Sequence, residues 1–154
     1  TVLDIGFGTG TLTQKLYEHG CTVYGQDFSQ RMIELAKVKM PKAELYQGDF
    51  TKGLVETLKQ NRYDAIVATY SLHHLTDAEK VVFIENLRPL LNDGGKIYIG
   101  DVMFGNRVQL EACRADAGDE WDGDEIYFVV DELQARFPQM RFEPLSYCSG
   151  VLTL

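Results

Sequence analysis

No apolar run in this chain approaches the roughly 20 residues that a membrane-spanning helix requires; Ala65–Ala68 is typical of its longest stretches. No charged segment followed by an apolar one opens it. Cysteine is scarce. Cys21, Cys113 and Cys148 are odd in number, far apart and in no Cys-x-x-Cys pair. That spacing supplies neither a disulfide framework nor a zinc site, so no metal is expected, and a reducing, cytoplasmic setting is. Positive charge is also in short supply: 15 Lys and Arg stand against 23 Asp and Glu, a net charge of −8, with no basic run. Nucleic-acid binding draws most of its affinity from Lys and Arg neutralising phosphates, so a polynucleotide partner is disfavoured. Repeats and low-complexity segments are missing. So is an initiator Met: the chain begins at Thr1, already inside an apolar run, and a further N-terminal segment is expected in the natural protein.

What is present is ordinary for a globular chain, with 45% hydrophobic and 25% charged residues in 154 positions. One domain of this size buries about two thirds of its unfolded surface and needs no staples. Apolar runs alternate with helical patterns, the signature of a parallel sheet with crossover helices. Val2–Ile5 reads as a buried strand leading into a glycine-rich turn. Thr9 or Thr11 would cap the next helix, with Leu12, Leu16 and Tyr17 on one face and Gly20 ending it. Thr22–Gly25 is a second strand. Ser29 caps a helix with Ile33, Ala36 and Lys37 spacing, stopped at Pro41. Ala43–Gln47 is a third strand and Leu54–Leu58 a short helix. Asp64–Thr69, apolar on both faces, reads as the central strand. Asp77–Leu91 is a helix with Val81, Ile84, Leu87 and Leu91 inward, turned by Asn92-Asp93-Gly94-Gly95 into a fifth strand, Lys96–Gly100. Beyond Asp101 the pattern weakens: helix over Arg107–Asp116, acidic loop over Ala117–Asp124, helix over Val129–Phe137. A closing antiparallel hairpin follows from Arg141–Tyr147 and Val151–Leu154.

Chemistry concentrates at strand ends. Val2-Leu3-Asp4-Ile5-Gly6-Phe7-Gly8-Thr9-Gly10 is a strand–turn–helix junction where absent Cβ atoms let a ligand approach the backbone. Its spacing is G-x-G-x-G, and Thr11 stands where the dinucleotide fingerprint G-x-G-x-x-G needs its last glycine. Asp4 can face a cationic amino acid moiety. Asp27, at the tip of the second strand, can accept from both hydroxyls of a ribose. Asp49, after the third, can accept from an adenine amino group with Phe28 or Phe50 against the ring. Any one of these acids alone reads as a loop residue. Three at the carboxyl ends of successive strands occupy the edge where open α/β sheets bind ligands.

These residues together resemble the class I (Rossmann-like) S-adenosylmethionine-dependent methyltransferases. Val2–Gly10 is similar to their first motif, Asp27 to their ribose-binding acid, and Gly48-Asp49-Phe50 to their adenine-contacting segment. Tyr63-Asp64-Ala65-Ile66-Val67 with Ser71-Leu72-His73-His74-Leu75, and Leu87-Arg88-Pro89-Leu90-Leu91 with Gly94-Gly95, resemble two later blocks. The match runs in order from Thr1 to about Asp101 and comes nearest to small bacterial methyltransferases whose acceptors are often unassigned. Phe7 departs from the pattern, where many relatives carry a smaller or polar residue. The resemblance implies an α/β three-layer sandwich with a seven-stranded, mostly parallel sheet in order 3-2-1-4-5-7-6, strand 7 antiparallel. It implies S-adenosylmethionine held by Asp4, Gly6 and Gly8 at the methionine part, Asp27 at the ribose and Asp49 with Phe50 at the adenine, with Phe7, Gly10, Phe28 and Thr69 also among the cofactor-binding residues. An N-terminal segment in this family often forms helices that lid the cofactor.

Methyl transfer asks the protein chiefly to align acceptor and methyl group and to exclude water. A base is needed only where the acceptor must lose a proton. His73, His74, Tyr70 and Asp101 are the candidates, against the alternative that one of two adjacent histidines packs or caps a helix. Cys113 reads as a small core residue sooner than as a nucleophile. Trp121 and Tyr127 either wall an acceptor pocket or pack under a loop. The expected reaction is methyl transfer by in-line displacement to a small-molecule acceptor. The competing readings are a non-enzymatic binder of the same cofactor and an NAD-dependent oxidoreductase, the latter disfavoured by Thr11 and the terminal hairpin.

Overall fold

The computed structural model describes residues 1–154. It contains strands β1 (Val2–Ile5), β2 (Val23–Asp27), β3 (Glu44–Gln47), β4 (Tyr63–Thr69), β5 (Leu91–Phe104), β6 (Phe128–Val129), β7 (Arg141–Pro144) and β8 (Ser149–Thr153). Its α-helices are α1 (Thr11–Glu18), α2 (Gln30–Lys39), α3 (Glu56–Lys59), α4 (Asp77–Leu87), α5 (Arg107–Ala117) and α6 (Val130–Gln134). The main sheet runs β3-β2-β1-β4-β5-β8-β7, with β1 to β5 parallel and β8 antiparallel to both β5 and β7. This is the expected seven-strand order, with the short β6 added beside the end of β5.

Alternation along the strands divides the core between the two faces of the sheet. Leu3 and Ile5 of β1, Ile66 and Ala68 of β4, Ile97 and Ile99 of β5, and Leu152 of β8 meet α3, α4 and α6 in one large cluster. On the opposite face Phe7, Val23 and Leu45 pack on Ile33, Ala36 and Met40, while Phe104 packs on Leu110 of α5. Helices therefore cover both faces and leave the carboxyl edge of the parallel strands for binding.

Four local expectations are corrected. No threonine side chain caps α1: Gly10 stands at the N-cap with φ 75°, and Thr13 is the buried residue of the helix while Leu12 is 37% exposed. Helix α4 stops at Leu87, because Pro89 cannot continue the hydrogen-bond ladder, and Arg88–Leu90 tightens into a 3-10 turn. Its buried residues are Lys80, Phe83, Ile84 and Leu87, with Val81 packed half-buried against the same core; Ile84 and Leu87 are inside as expected, and Lys80 and Phe83 join them. Strand β5 is far longer than expected. Leu91 already pairs with Tyr63, residues 92–95 bulge out, and pairing resumes at Lys96 opposite Ala65. The strand then runs through Asp101 to Phe104, because that aspartate finds a partner inside. Finally, the helix expected over Val129–Phe137 opens with Phe128 and Val129 paired to Met103 and Phe104, and is helical only over Val130–Gln134.

Candidate active site

The turn after β1 needs its glycines for two different reasons. Gly6, Gly8 and Gly10 have φ of 69°, 55° and 75°, a left-handed backbone that costs an L-residue roughly 1–2 kcal/mol. A Cβ on Gly6 would lie 2.6 Å from Cβ of Ser71, whereas one on Gly8 would meet nothing within 4 Å. Gly6 is thus fixed by packing inside, and Gly8 faces open space.

Asp27 ties this turn to the end of β2. Its Oδ2 accepts from the Gly8 N–H at 2.8 Å and its Oδ1 from the Ser29 N–H at 2.9 Å. A carboxylate offers about four acceptor positions, so capacity remains for two hydroxyls. Asp4 is 1% exposed and accepts from the Thr13 hydroxyl through Oδ2, while its Oδ1 has no partner. Burial pushes its carboxyl up to about 6, against the Thr13 hydrogen bond, with the nearby Asp27 charge adding to the rise. An orphaned, buried acceptor of this kind is half of a site for a cation.

Beyond these two acids the expected cofactor residues divide. Phe28 is 70% exposed and can cover a ring. Phe50 lies in the core against Phe83, and Phe7 packs in the α2 cluster under Gly25, so both offer backbone and not ring to a ligand. Asp49 spends Oδ1 on the N–H and hydroxyl of Thr51 and sets Oδ2 3.3 Å from Lys52 Nζ. The Thr51 hydroxyl, first of these contacts, holds its carboxyl below the usual range. Thr69 is half-buried at the end of β4. Tyr70, next to it, is exposed and has φ 49°, the one non-glycine residue in the left-handed region. Such strain gathers where a fold presents groups to ligands.

The two histidines separate. His74 is exposed, its ring 4.4 Å from that of His73. His73 is buried, with Nδ1 2.8 Å from Asp101 Oδ1 and Nε2 3.4 Å from Glu125 Oε1. Asp101 Oδ1 also accepts from the Val102 N–H, and its buried Oδ2 has no partner. The Asp101 hydrogen bond raises the titration of His73 against the opposing effect of burial. Trp121 and Tyr127 meet edge to face at 5.0 Å and 87° beside Phe104, packing together in the α5 cluster. Cys113 joins that cluster, and burial pushes its thiol up, the opposite of what a nucleophile needs.

Sequence reasoning missed Thr13, Ser71 and Glu125. Thr13 sits in the helical turn after the glycines, and the inward face of that helix was placed on Leu12, Leu16 and Tyr17. Ser71 bonds the Ile5 carbonyl and blocks Gly6, and in the sequence it stood only as the first residue of the Ser71–Leu75 block. Glu125 lies in an acidic stretch with no periodicity at all.

Neither the cleft between α4 and α6 beside Val81 and Leu133 nor that between α5 and the β7–β8 hairpin beside Cys113 and Tyr147 includes the glycine turn, Asp4, Asp27 or His73. The site is therefore defined by its chemistry and not by cavity size. No group of three or more His, Cys, Asp or Glu side chains is arranged to hold a metal ion, and no helix is long and apolar enough to cross a membrane.

Residues 2–95 match the family described as "Methyltransferase domain". An "uncharacterized methyltransferase" of Anoxybacillus flavithermus is 47% identical over 116 residues, 75% of this chain and 53% of that protein. One of Bacillus mycoides is 47% identical over 107 residues, 69% of this chain and 49% of its own length. The chain thus spans about half the length of the curated relatives it matches. Among solved structures, DhpI in complex with SAM and HEP covers 99% of this chain and 76% of its own, with TM-score 0.76 and 20% identity. The magnesium protoporphyrin IX methyltransferase of Synechocystis with bound SAH covers 99% and 72%, with TM-score 0.73 and 18% identity. At those identities the likeness is one of fold.

Proposed function

Because the chain belongs to the methyltransferase-domain family, we propose that it is an S-adenosylmethionine-dependent methyltransferase acting on a small-molecule acceptor. The observation that carries the cofactor reading is the buried, unpartnered Oδ1 of Asp4 two residues before the first glycine. An ammonium group is the partner that such an oxygen lacks. When bound, S-adenosylmethionine supplies a methyl group made electrophilic by its sulfonium. Everything else falls to the chain's own residues. Asp27 accepts from the ribose hydroxyls while its bond to Gly8 keeps the turn in shape. Gly8 lets the ligand reach the backbone, and exposed Phe28 covers one face of the adenine.

The acceptor belongs beyond β4 and β5, where Tyr70, His73 and Asp101 gather. Alignment there of the acceptor atom with the methyl group converts a bimolecular displacement into a local one. Asp101 orients the His73 ring through Nδ1, leaving Nε2 as the nitrogen that takes a proton from an acceptor hydroxyl or amine.

The test is calorimetric titration with S-adenosylmethionine, S-adenosylhomocysteine and NAD, repeated on Asp27→Ala. The expected result is micromolar-range binding of both sulfur ligands, none of NAD, and at least a tenfold loss in the variant, about 1.4 kcal/mol. Absence of binding by either sulfur ligand would overturn the proposal.

A further inference from the structure

The base assigned above is not free. His73 is flanked at both ring nitrogens, by Asp101 at 2.8 Å and by Glu125 at 3.4 Å. A neutral imidazole has one N–H to donate. Two carboxylates, one hydrogen-bonded to Nδ1 and one at ion-pair distance from Nε2, together favour the imidazolium, whose Nε2 has no lone pair to accept a proton. We propose that Glu125 is a positioning residue for His73: it holds the ring as a clamped cation, and an entering acceptor must displace it before Nε2 can act. This rests on the reading of His73 as the base.

The two carboxylates differ in freedom. Asp101 is fully buried in β5 and anchored by the Val102 N–H, whereas the Glu125 side chain is 29% exposed. The segment that carries Glu125 is tied to the histidine's own backbone. The Ile126 N–H donates to the His73 carbonyl at 2.8 Å, and the buried Lys80 ammonium of α4 bonds the Ile126 carbonyl. Glu125 is thereby held in place by its neighbours, while its own carboxylate remains the part that can swing out. The groups facing the ring are Asp101 from β5, Glu125 and Tyr127 from the segment before β6, Lys80 from α4, and His74 from the same turn. Asp101 and Glu125 both favour the cation, and Lys80 opposes it. When an acceptor hydroxyl or amine takes the place of Glu125, one negative charge leaves the ring. The Nε2 proton then passes to water, and the freed lone pair accepts the acceptor's proton as the methyl group is transferred.

The experiment is an NMR titration of the imidazole nitrogens, which needs no acceptor and has three histidines to assign, His19, His73 and His74. Glu125→Gln removes the charge and keeps the shape, and should lower the His73 midpoint by about one pH unit, close to tenfold more neutral ring at a given pH. Glu125→Asp keeps the charge but shortens the reach, and should lower it by less, which also guards against a Gln variant that fails to fold. Asp101→Asn should lower it most. His19 should not move. An unchanged His73 midpoint in both Glu125 variants, with a fall in Asp101→Asn, would overturn the role of Glu125. Failure of the base reading shows differently: the ring titrates as described, but His73→Gln leaves the release of S-adenosylhomocysteine in the presence of an acceptor unchanged.

Discussion

The Asp4 carboxyl titrates near 6 because burial removes the water that would solvate its anion. Its folded value lies above the unfolded value of 3.8, so the folded state holds the proton more tightly. Stability from this group is complete below about pH 4 and is lost as pH rises to about 6, by up to about 3 kcal/mol. Cofactor binding has the opposite dependence, since only the anion attracts an ammonium. Asp4→Asn should therefore raise the denaturation midpoint of the ligand-free protein at pH 7.5, have little effect at pH 4, and weaken S-adenosylmethionine binding at least tenfold. In the unaltered protein, affinity should fall about tenfold between pH 7 and pH 5. A pH-independent affinity would show that Asp4 stays out of the site. The places of Asp4, Asp27 and the three glycines were legible because they are local: each stands within a few residues of a strand end. Thr13, Ser71 and Glu125 act on groups 9 to 66 positions away in the chain, and nothing beside them in sequence announces it.

At the scale of elements, periodicity located β1 to β5, missed the two-residue β6 beside β5, and erred where side chains serve two purposes. Strand β5 was cut short at Gly100 because Asp101 breaks an apolar run, yet that aspartate is inside with His73 as its partner. In helix α4 the expected Ile84 and Leu87 are inside and Val81 packs at the edge of the core, but the buried Lys80 was not foreseen, since lysine is rarely found indoors. Lys80 is tolerated there because its ammonium reaches Asp77, the Ile126 carbonyl and the face of Phe128. The start of α4 is secured by a reciprocal cap: Thr76 Oγ1 accepts from the Glu79 N–H, and Glu79 accepts from the Thr76 N–H. This cap directly follows the turn that carries His73 and His74, so it fixes where that turn ends. Thr76→Ala should cost about 1 kcal/mol in urea denaturation and leave S-adenosylmethionine affinity within twofold. A large loss of affinity would mean that the cap holds the cofactor edge as well as the helix.

For the whole molecule, the order of strands decides where a ligand can bind and which ligand it is. The chain winds from β1 outward to β3, then crosses back to β4, and this reversal opens the crevice at whose edge Gly8 and Asp27 meet. An oxidoreductase sheet shares that crevice. The difference lies in the antiparallel β8 inserted beside β5 and in the turn, whose Thr11 begins α1 without a third correctly spaced glycine. Ligand linkage turns this difference into a measurement, since a ligand that binds only the folded state at 100 times its Kd stabilises by about 2.7 kcal/mol. For a domain of about 150 residues each kcal/mol moves Tm by roughly 2–4 °C. S-adenosylhomocysteine at that concentration should therefore raise Tm by about 5–10 °C, and NAD at equal concentration by nothing measurable. The Asp27→Ala protein should lose most of the response to S-adenosylhomocysteine while its own ligand-free Tm changes less, because the lost bonds to Gly8 and Ser29 shape the crevice more than they hold the core. An NAD response equal to that of the sulfur ligand would assign the crevice to a dinucleotide, and the hairpin would then carry no information about the cofactor.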